Sequence, residues 1–137
     1  MASKLKSPQK SGSATIKTPE NTEIPPQQRR PKFSLEYLVK DYCLQRCETP
    51  EKASFADAIF QLAQLPWSQI MQLPRHGMGC EKIARSAIAG GIPAALTEDT
   101  NIIAFRFHGK APMVGFRRED TFYVVWLDRA FKLYDHG

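Results

Sequence analysis

The residue types that could do chemistry gather in the last third of the chain, where arginines, histidines and a tyrosine alternate with apolar residues. Arg106 and His108 are two positions apart in a run of β-branched and aromatic residues, so we expect both side chains on one face of a strand. The other candidates follow in the same stretch: Arg117, Arg129, Tyr134 and His136. If the strands form a meander, these groups converge on one face of a sheet.

This set of side chains suits the cleavage of RNA without a metal. The reaction needs a base for the proton of a ribose 2′-hydroxyl, an acid for the leaving oxygen, and cations for the charge that develops on the phosphorane. Histidine and tyrosine can move the protons, and the arginines can stabilise the phosphorane. A structural interpretation stays open, because arginines near strand ends are usually solvated and Tyr134 can be a core aromatic with a hydrated hydroxyl.

A second candidate lies in the glycine-punctuated loop that runs from residue 75 to residue 83. The backbone amides of Gly77 and Gly79 can approach a phosphate closely, because glycine has no side chain to prevent it. Cationic groups flank these glycines: Arg75, His76, Lys82 and Arg85. A flexible turn between the helices and the sheet is the structural alternative, and a single Gly-x-Gly does not decide between the two.

A third candidate is a zinc site. Cys43 and Cys47 are separated by three residues, as are His76 and Cys80, and three thiolates with one imidazole suit tetrahedral zinc. This spacing is less diagnostic than two residues, and the apolar segment around Cys43 favours a buried free cysteine. We therefore expect no metal and no other cofactor. Three cysteines cannot all pair within the chain, and the odd number favours a reducing cytoplasm.

The N-terminal part of the chain predicts a tail. Residues 1–32 carry seven Lys or Arg and two Glu, and they contain few large apolar residues, so we expect disorder. The role of this basic tail is open between a solubilising segment, an arm that holds nucleic-acid phosphates and a segment that folds on a partner. It lacks the apolar central region of a secretory signal.

The remainder of the chain, residues 33–137, predicts one domain with its own core. It carries twelve basic and twelve acidic residues, so the overall basic character belongs to the tail. A domain without net charge excludes a global attraction to polyanions, and nucleic-acid binding must then rest on local clusters. The chain contains no apolar run of the length that a membrane span needs, about 18 residues.

The strands that must position the first cluster follow from alternation of residue types. Three are expected between short polar turns, at Ile102–Phe107, Met113–Arg117 and Phe122–Leu127. A fourth is possible at Phe131–Tyr134. Connections this short favour antiparallel neighbours. The third strand is apolar on both faces, with Trp126 expected beside Phe122 and Val124, so it belongs at the centre of a sheet covered on both sides.

A helix is expected ahead of the sheet. Thr49 suits the N-cap and Pro50 the first helical position, and an apolar stripe follows before Pro66 ends the helix. The flanking segments predict an edge strand near Phe33 and one or two helical turns at 67–73. A short helix is equally compatible with residues 39–47. Residues 84–96 predict a loop with a possible helical turn, because Gly and Pro interrupt them.

The order of these elements and several short motifs resemble the RelE/ParE toxin superfamily. The order is helix, helix, a His-Gly-Met loop, and then an antiparallel meander that ends near a tyrosine. The matching positions are His76-Gly77-Met78, Cys80, Lys82-Ile83, Arg106, Phe122–Leu127, Arg129 and Tyr134. The resemblance covers roughly residues 33–137, and in detail the chain is similar to a group of small, uncharacterised bacterial and phage proteins.

This resemblance implies an α+β domain whose N-terminal helices pack on a twisted antiparallel sheet. RelE-like members cleave mRNA in the ribosomal A site with Arg, Lys, Tyr and sometimes His, without a metal. On this basis the catalytic candidates are Tyr134, His136, Arg106 and Arg129, and the RNA-binding candidates are Lys82, Arg85, His108, Lys110 and Arg117. The partners to expect are RNA, the ribosome and a cognate antitoxin, in the cytoplasm.

The resemblance also contains the alternative. ParE-like members inhibit DNA gyrase and are not nucleases, so the chain can equally be a non-catalytic inhibitor or a phage interaction module. In that case the arginine face is an interface for a protein partner. The neutral domain favours the binding protein, whereas the pairing of Tyr134 with His136 favours the ribonuclease.

Overall fold

The sheet expected for the C-terminal third forms, and two further strands extend it to five. A computed structural model of the chain describes residues 24–135. The strands are β1 (Lys32–Ser34), β2 (Cys80–Ile83), β3 (Ile102–His108), β4 (Ala111–Arg118) and β5 (Thr121–Leu127). Their order across the sheet is β1-β5-β4-β3-β2. The predicted antiparallel meander of β3, β4 and β5 is confirmed, and β2 adds to it antiparallel.

The prediction of a purely antiparallel sheet is wrong at one edge. Strand β1 lies parallel to β5, with Phe33 beside Phe122, so the sheet is mixed. A parallel pair needs a long crossover between its strands, and here most of the chain lies between them. The α+β class is confirmed, since the helices and the meander occupy separate parts of the chain.

Two helices cover one face of the sheet. Helix α1 spans Thr49–Leu62, and its N-cap is Glu48, one residue before the predicted Thr49. The side chains of Glu48 and Glu51 form a capping box that satisfies two backbone amides of the first turn. Helix α2 is the single turn Trp67–Ile70 directly after Pro66. The segment at 39–47 forms two short 3₁₀ turns, Lys40–Tyr42 and Leu44–Arg46.

Each face of the sheet has its own core. On the helix face, buried residues of α1 and α2 pack on the sheet: Phe55, Leu62, Trp67 and Ile70 against Ile103, Phe105, Met113 and Phe122. On the opposite face, the irregular segments around 37–42 and 84–96 supply the cover, with Ile88 and Leu96 buried against the strands. Strand β5 is therefore buried on both faces, as its sequence predicts.

A bulge in β5 changes which of its side chains share a face of the sheet. Val114 pairs with Trp126 and Gly115 with Val124, so Val125 is an extra residue in β5. Trp126 consequently packs in the core opposite the helices and Leu127 in the helix-side core, the reverse of the simple alternation. Gly115 is required at this point, because a Cβ would overlap the carbonyl oxygen of Tyr123.

The structure brings residues 24–32 into the fold. Lys32 begins β1; its ammonium group lies 3.3 Å from the buried carboxylate of Asp120, and the guanidinium of Arg29 lies 3.6 Å from the same carboxylate. The backbone carbonyl of Asp120 also accepts hydrogen bonds from the amide of Lys32 and from the indole of Trp67, both at 2.9 Å. The rest of the predicted tail, residues 1–23, lies outside the described residues.

Other segments differ from the sequence expectations. Strand β2 occupies the C-terminal half of the glycine-punctuated loop, where no strand was predicted. Phe131–Tyr134 is an irregular segment with bends and not a fourth strand of the meander. The predicted helical turn within 84–96 is a 3₁₀ turn at Arg85–Ala87. Within residues 24–135, no helix is both long and apolar enough to cross a membrane.

Candidate functional site

A cavity of about 400 Å³ opens on the face of the sheet that the helices leave uncovered. Its walls come from the 75–81 segment, from β3 and the β3–β4 hairpin, and from the C-terminal segment. The side chains that can do chemistry in it are Arg75, His76, Glu81, Arg106, Lys110, Tyr134 and Asp135. The cavity thus joins residues from the first and second clusters that the sequence singled out.

Arg106 holds the loop to the sheet at the centre of this cavity. One terminal nitrogen of its guanidinium donates to the backbone carbonyl of His76 at 2.8 Å, and the other lies 3.3 Å from Nδ1 of the same residue. Arginine has no acceptor atom, so Nδ1 must accept, and a neutral His76 then carries its proton on Nε2. Arg106 therefore fixes the tautomer of the imidazole.

Two glycines shape the loop that carries His76. The amides of Gly77 and Gly79 both donate to the carbonyl of Pro74 at 3.0 Å, which folds the loop back on itself. Gly79 is buried, and a Cβ there would overlap the carbonyl of Leu73. The amides of these glycines are therefore bonded within the protein, and the close backbone contact at Gly79 is with Leu73.

Tyr134 enters the cavity from the C-terminal segment, which a buried carboxylate holds in place. Asp128 is fully buried and accepts from the amides of Lys132 and Leu133 at 2.8 and 3.0 Å. Leu133 anchors the segment in the core. Burial raises the pKa of the Tyr134 phenol to about 12, and the negative charges of Glu81 and Asp128 act in the same direction. The phenol therefore keeps its proton at neutral pH and can donate it.

The charge of the cavity is mixed. Arg75 and Glu81 form an ion pair at 3.0 Å on its rim. Arg106 and Lys110 add two positive charges, and Asp135 adds one negative charge. Lys110 is exposed at the tip of the β3–β4 hairpin, next to Gly109, which adopts a left-handed conformation with φ of 57°. The lining side chains thus carry one positive charge in excess.

The site was also compared with known proteins through the sequence and the fold of the whole chain. Comparison with protein-family models, with curated proteins and with solved structures finds no match to this chain. The resemblance to RelE/ParE proteins therefore stays an expectation from the sequence. What the cavity can do must be argued from its own side chains.

Several predicted site residues lie elsewhere. Arg129 does not line the cavity, because acidic residues of α1 hold it on the helix side. Its guanidinium lies 2.8 Å from the carboxylate of Glu51 and 3.7 Å from that of Glu48. The hydrogen bond from Arg129 lowers the pKa of Glu51, and the Glu48 amide acts in the same direction. Arg129 thus closes the capping box of α1.

The expectation that Arg106 and His108 share a face is wrong. A bulge lies between them, where the register of β3 against β4 shifts. The side chain of His108 consequently faces α1, and its Nδ1 lies 2.9 Å from the hydroxyl of Ser54. A period of two in the sequence cannot foresee this, because one additional residue reverses the faces.

The remaining RNA-binding candidates are also dispersed. Lys82 is exposed on the edge strand β2 opposite Ile103, whose side chain belongs to the helix-side core. Arg85 donates to the carbonyls of Thr97 and Leu96 at 2.7 and 2.8 Å, so it fastens the 84–100 segment. Arg117 stacks on Trp67 on the helix face. His136 lies outside the described residues.

The four residues predicted as zinc ligands, Cys43, Cys47, His76 and Cys80, do not form one cluster. Within residues 24–135, no group of three or more His, Cys, Asp and Glu side chains has a metal-binding arrangement. Cys43 and Cys47 belong to the segment of 3₁₀ turns, and Cys80 contacts the thioether of Met71 at 3.7 Å. His76 instead faces Arg106. All three cysteines are free thiols.

Sequence reasoning missed three residues of the cavity. Glu81 precedes the candidate Lys82, and Asp135 follows the candidate Tyr134. An acidic residue beside such a candidate predicts a local ion pair or hydrogen bond and does not by itself indicate a cavity. Phe131 was assigned to a strand, whereas it adopts a left-handed conformation with φ of 58° and is 45% exposed. The position after Asp128-Arg129-Ala130 offered a turn signal, but no residue type that favours φ above zero.

Proposed function

We propose that the cavity binds and cleaves single-stranded RNA without a metal, as RelE-like endoribonucleases do. One observation carries this proposal. Arg106, Lys110 and Tyr134, which the sequence singled out separately for this chemistry, line one cavity together with Arg75 and His76. A phosphodiester in the cavity would meet cations, an imidazole and a protonated phenol, and these are the groups that the reaction requires.

Arg106 is the group that contacts the phosphate. Its planar fork suits two oxygens of a phosphodiester, and Lys110 adds a point charge at the mouth of the cavity. When phosphate takes the guanidinium, Nδ1 of His76 loses the donor that occupies it. That nitrogen then becomes available as a base. Substrate binding and activation of the base are in this way the same event.

The chemical step follows from these positions. Nδ1 of His76 accepts the proton of the 2′-hydroxyl, and the 2′-oxygen attacks phosphorus to give a 2′,3′-cyclic phosphate. The 5′-oxygen leaves with the proton of Tyr134, whose phenol is protonated because its pKa is about 12. Return of the proton from His76 to Tyr134 restores both groups. Phe131 is placed to stack with an unpaired base.

The wider biology of the proposal is that of a toxin. The motifs around His76 and the meander support an mRNA-cleaving toxin that acts at the ribosome and is held inactive by a cognate antitoxin. Toxicity is then expected to depend on the cavity and not on Lys82, Arg85 or Arg129, which lie away from it. Induced expression in a bacterial host, with growth and transcript 5′ ends recorded together, tests this part.

The direct test uses the full chain and a chimeric oligonucleotide with one ribonucleotide among deoxynucleotides. Cleavage should occur only at the ribonucleotide, and an all-deoxy oligonucleotide of the same sequence should remain intact. Arg106→Ala, His76→Ala and Tyr134→Phe should each reduce the rate by about 100-fold or more. Lys82→Ala is the matched control and should cleave like the wild type. Equal cleavage by the wild type and by all three cavity variants would refute the assignment.

A non-catalytic binding protein is the second candidate, and the acidic residues of the cavity favour it. Glu81 neutralises Arg75, and Asp135 offsets another positive charge, so the excess that attracts RNA is small. Such a protein would arrest growth without new transcript ends. Its effect would also survive Tyr134→Phe, because an interface does not need the phenolic proton. Those two results together would select the inhibitor.

A further inference from the structure

A second cavity, of about 300 Å³, lies on the helix side of the sheet near β4. Pro26, Met71 and Ile103 give it apolar walls, and Asn101, Arg117 and Glu119 give it polar groups. Arg117 is the residue that distinguishes this cavity from an ordinary surface depression. The cavity lies across the sheet from the proposed RNA site, so the two can be tested independently.

Two contacts position the guanidinium of Arg117. It lies 4.3 Å from the centre of the Trp67 ring, and its Nε donates to the carbonyl of Glu119 at 2.6 Å. Trp67 is itself fully buried, and its indole nitrogen donates to the carbonyl of Asp120. A guanidinium fixed on an aromatic floor in this way loses little freedom when it binds a ligand.

The terminal nitrogens of Arg117 also lack a direct partner within the described part of the chain. Among residues 24–135, no carboxylate lies within 4.0 Å of its guanidinium, and its two terminal nitrogens make no hydrogen bond. The carboxylate of Asp120 is occupied by Arg29 and Lys32. Burial lowers the pKa of Arg117, and the negative charge of the nearby Asp120 carboxylate acts in the opposite direction. The four N–H groups on these two nitrogens thus have no acceptor among the described residues.

We propose that Arg117 anchors a second binding site, which takes a small organic carboxylate that carries an apolar group. The terminal nitrogens of Arg117 present the fork that a carboxylate accepts in two hydrogen bonds. Met71, Ile103 and Pro26 supply the surface for the apolar group, and Asn101 supplies an amide. Glu119 lies at the same cavity and repels a second negative charge. The site therefore favours a monoanion over a phosphate dianion.

Nuclear magnetic resonance of the full-length protein tests this directly, because the chain contains only two tryptophans. The indole ring of Trp67 lies beneath Arg117, whereas Trp126 is buried in the core on the opposite face. Addition of 4-phenylbutyrate should shift the Trp67 indole resonance in a saturable manner and leave that of Trp126 in place. The uncharged amide of the same acid and phenyl phosphate are the matched probes. Both should bind at least about tenfold more weakly.

Variants assign the effect to the guanidinium. Arg117→Gln should abolish the shift, and Arg117→Lys should weaken it, because lysine keeps the charge but not the planar fork. Arg118→Gln is the control, since Arg118 is exposed and lies over Phe116 and Tyr123. If Arg117→Gln fails to fold, weaker binding by Arg117→Lys is the result that assigns the shift to the guanidinium.

Four results would overturn the proposal. The first is no saturable shift of Trp67 up to about 20 mM probe. The second is equal binding of the acid and its amide, and the third is tighter binding of phenyl phosphate than of the acid. The fourth is undiminished binding by Arg117→Lys. None of these results bears on RNA cleavage, which depends on the other face of the sheet.

Discussion

Arg106 and His76 are joined across 30 residues of sequence by two contacts from one guanidinium, to the backbone carbonyl at 2.8 Å and to Nδ1 at 3.3 Å. The first contact fixes the loop and the second fixes the tautomer. One residue of the sheet thus determines both where the imidazole lies and which nitrogen can accept a proton. Gly79 and Asp128 hold the segments that carry His76 and Tyr134, whereas Arg129 lies outside the cavity.

Gly79 should be more sensitive to a methyl group than Gly77. A Cβ at Gly79 would overlap the carbonyl of Leu73, whereas at Gly77 the nearest atom lies at an ordinary contact distance of 3.8 Å. We expect Gly79→Ala to reduce the free energy of unfolding by about 2 kcal/mol or more, and Gly77→Ala to change it by less than about 0.5 kcal/mol. Urea denaturation measures both. Equal losses would show that the loop does not depend on this approach.

Tyr134 should make stability fall at high pH. Its pKa rises from the ordinary 10.0 to about 12 in the folded protein, so the folded state holds the phenolic proton more tightly than the unfolded chain does. The resulting stabilisation is complete below pH 10 and is lost as the pH rises from 10 to about 12. The free energy of unfolding should therefore decline more steeply over this range in the wild type than in Tyr134→Phe. Parallel curves for the two proteins would contradict a buried phenol.

Asp128 should control the C-terminal segment. In Asp128→Asn, an amide N–H₂ replaces one of the oxygens that accept from the backbone at Lys132 and Leu133. We expect a loss of about 2 kcal/mol in the free energy of unfolding, because a buried donor then meets another donor. Limited trypsin digestion should cut faster after Lys132. Asp41→Asn is the control and should change neither quantity, since Asp41 is exposed and lies 3.5 Å from Arg46.

Arg129 should matter for acid stability and not for RNA cleavage. Its hydrogen bond lowers the pKa of Glu51, so this pair stabilises the fold above the ordinary pKa of a glutamate and loses that effect as the pH falls through the lowered value. Arg129→Gln should flatten the acid limb of the stability curve and cleave RNA at the wild-type rate. Arg46→Gln, which removes only an exposed pair, should leave the acid limb unchanged. A large loss of cleavage in Arg129→Gln would contradict the placement of this residue outside the active site.

The sequence predicts the meander well because the relevant signals are local. Alternating residues mark β3, β4 and β5, and short polar turns between them leave few options for pairing. Strand β2 was missed because it contains the polar pair Glu81-Lys82, and only the neighbouring β3 makes it a strand. The parallel placement of β1 depends on a partner at the far end of the chain, for which no local pattern exists.

The candidate site was predicted in part for the same reason. Arg106 and Tyr134 carry suitable chemistry, and the meander places them near each other. Arg129 was assigned wrongly to the same place because its acidic partner Glu51 lies 78 residues earlier. The faces of His108 and Trp126 depend on bulges, which insert a residue without a distinctive residue type.

The pairing of β1 with β5 also constrains how the protein can be made. Lys32 binds Asp120, a residue 88 positions later, and β5 directly follows that aspartate. During synthesis on the ribosome, the first strand therefore leaves the exit tunnel long before its partner has been translated. Until β5 emerges, the apolar segments before it have no completed sheet to cover. The sheet therefore cannot be completed before β5 emerges, and the apolar segments ahead of it stay exposed on the nascent chain until then.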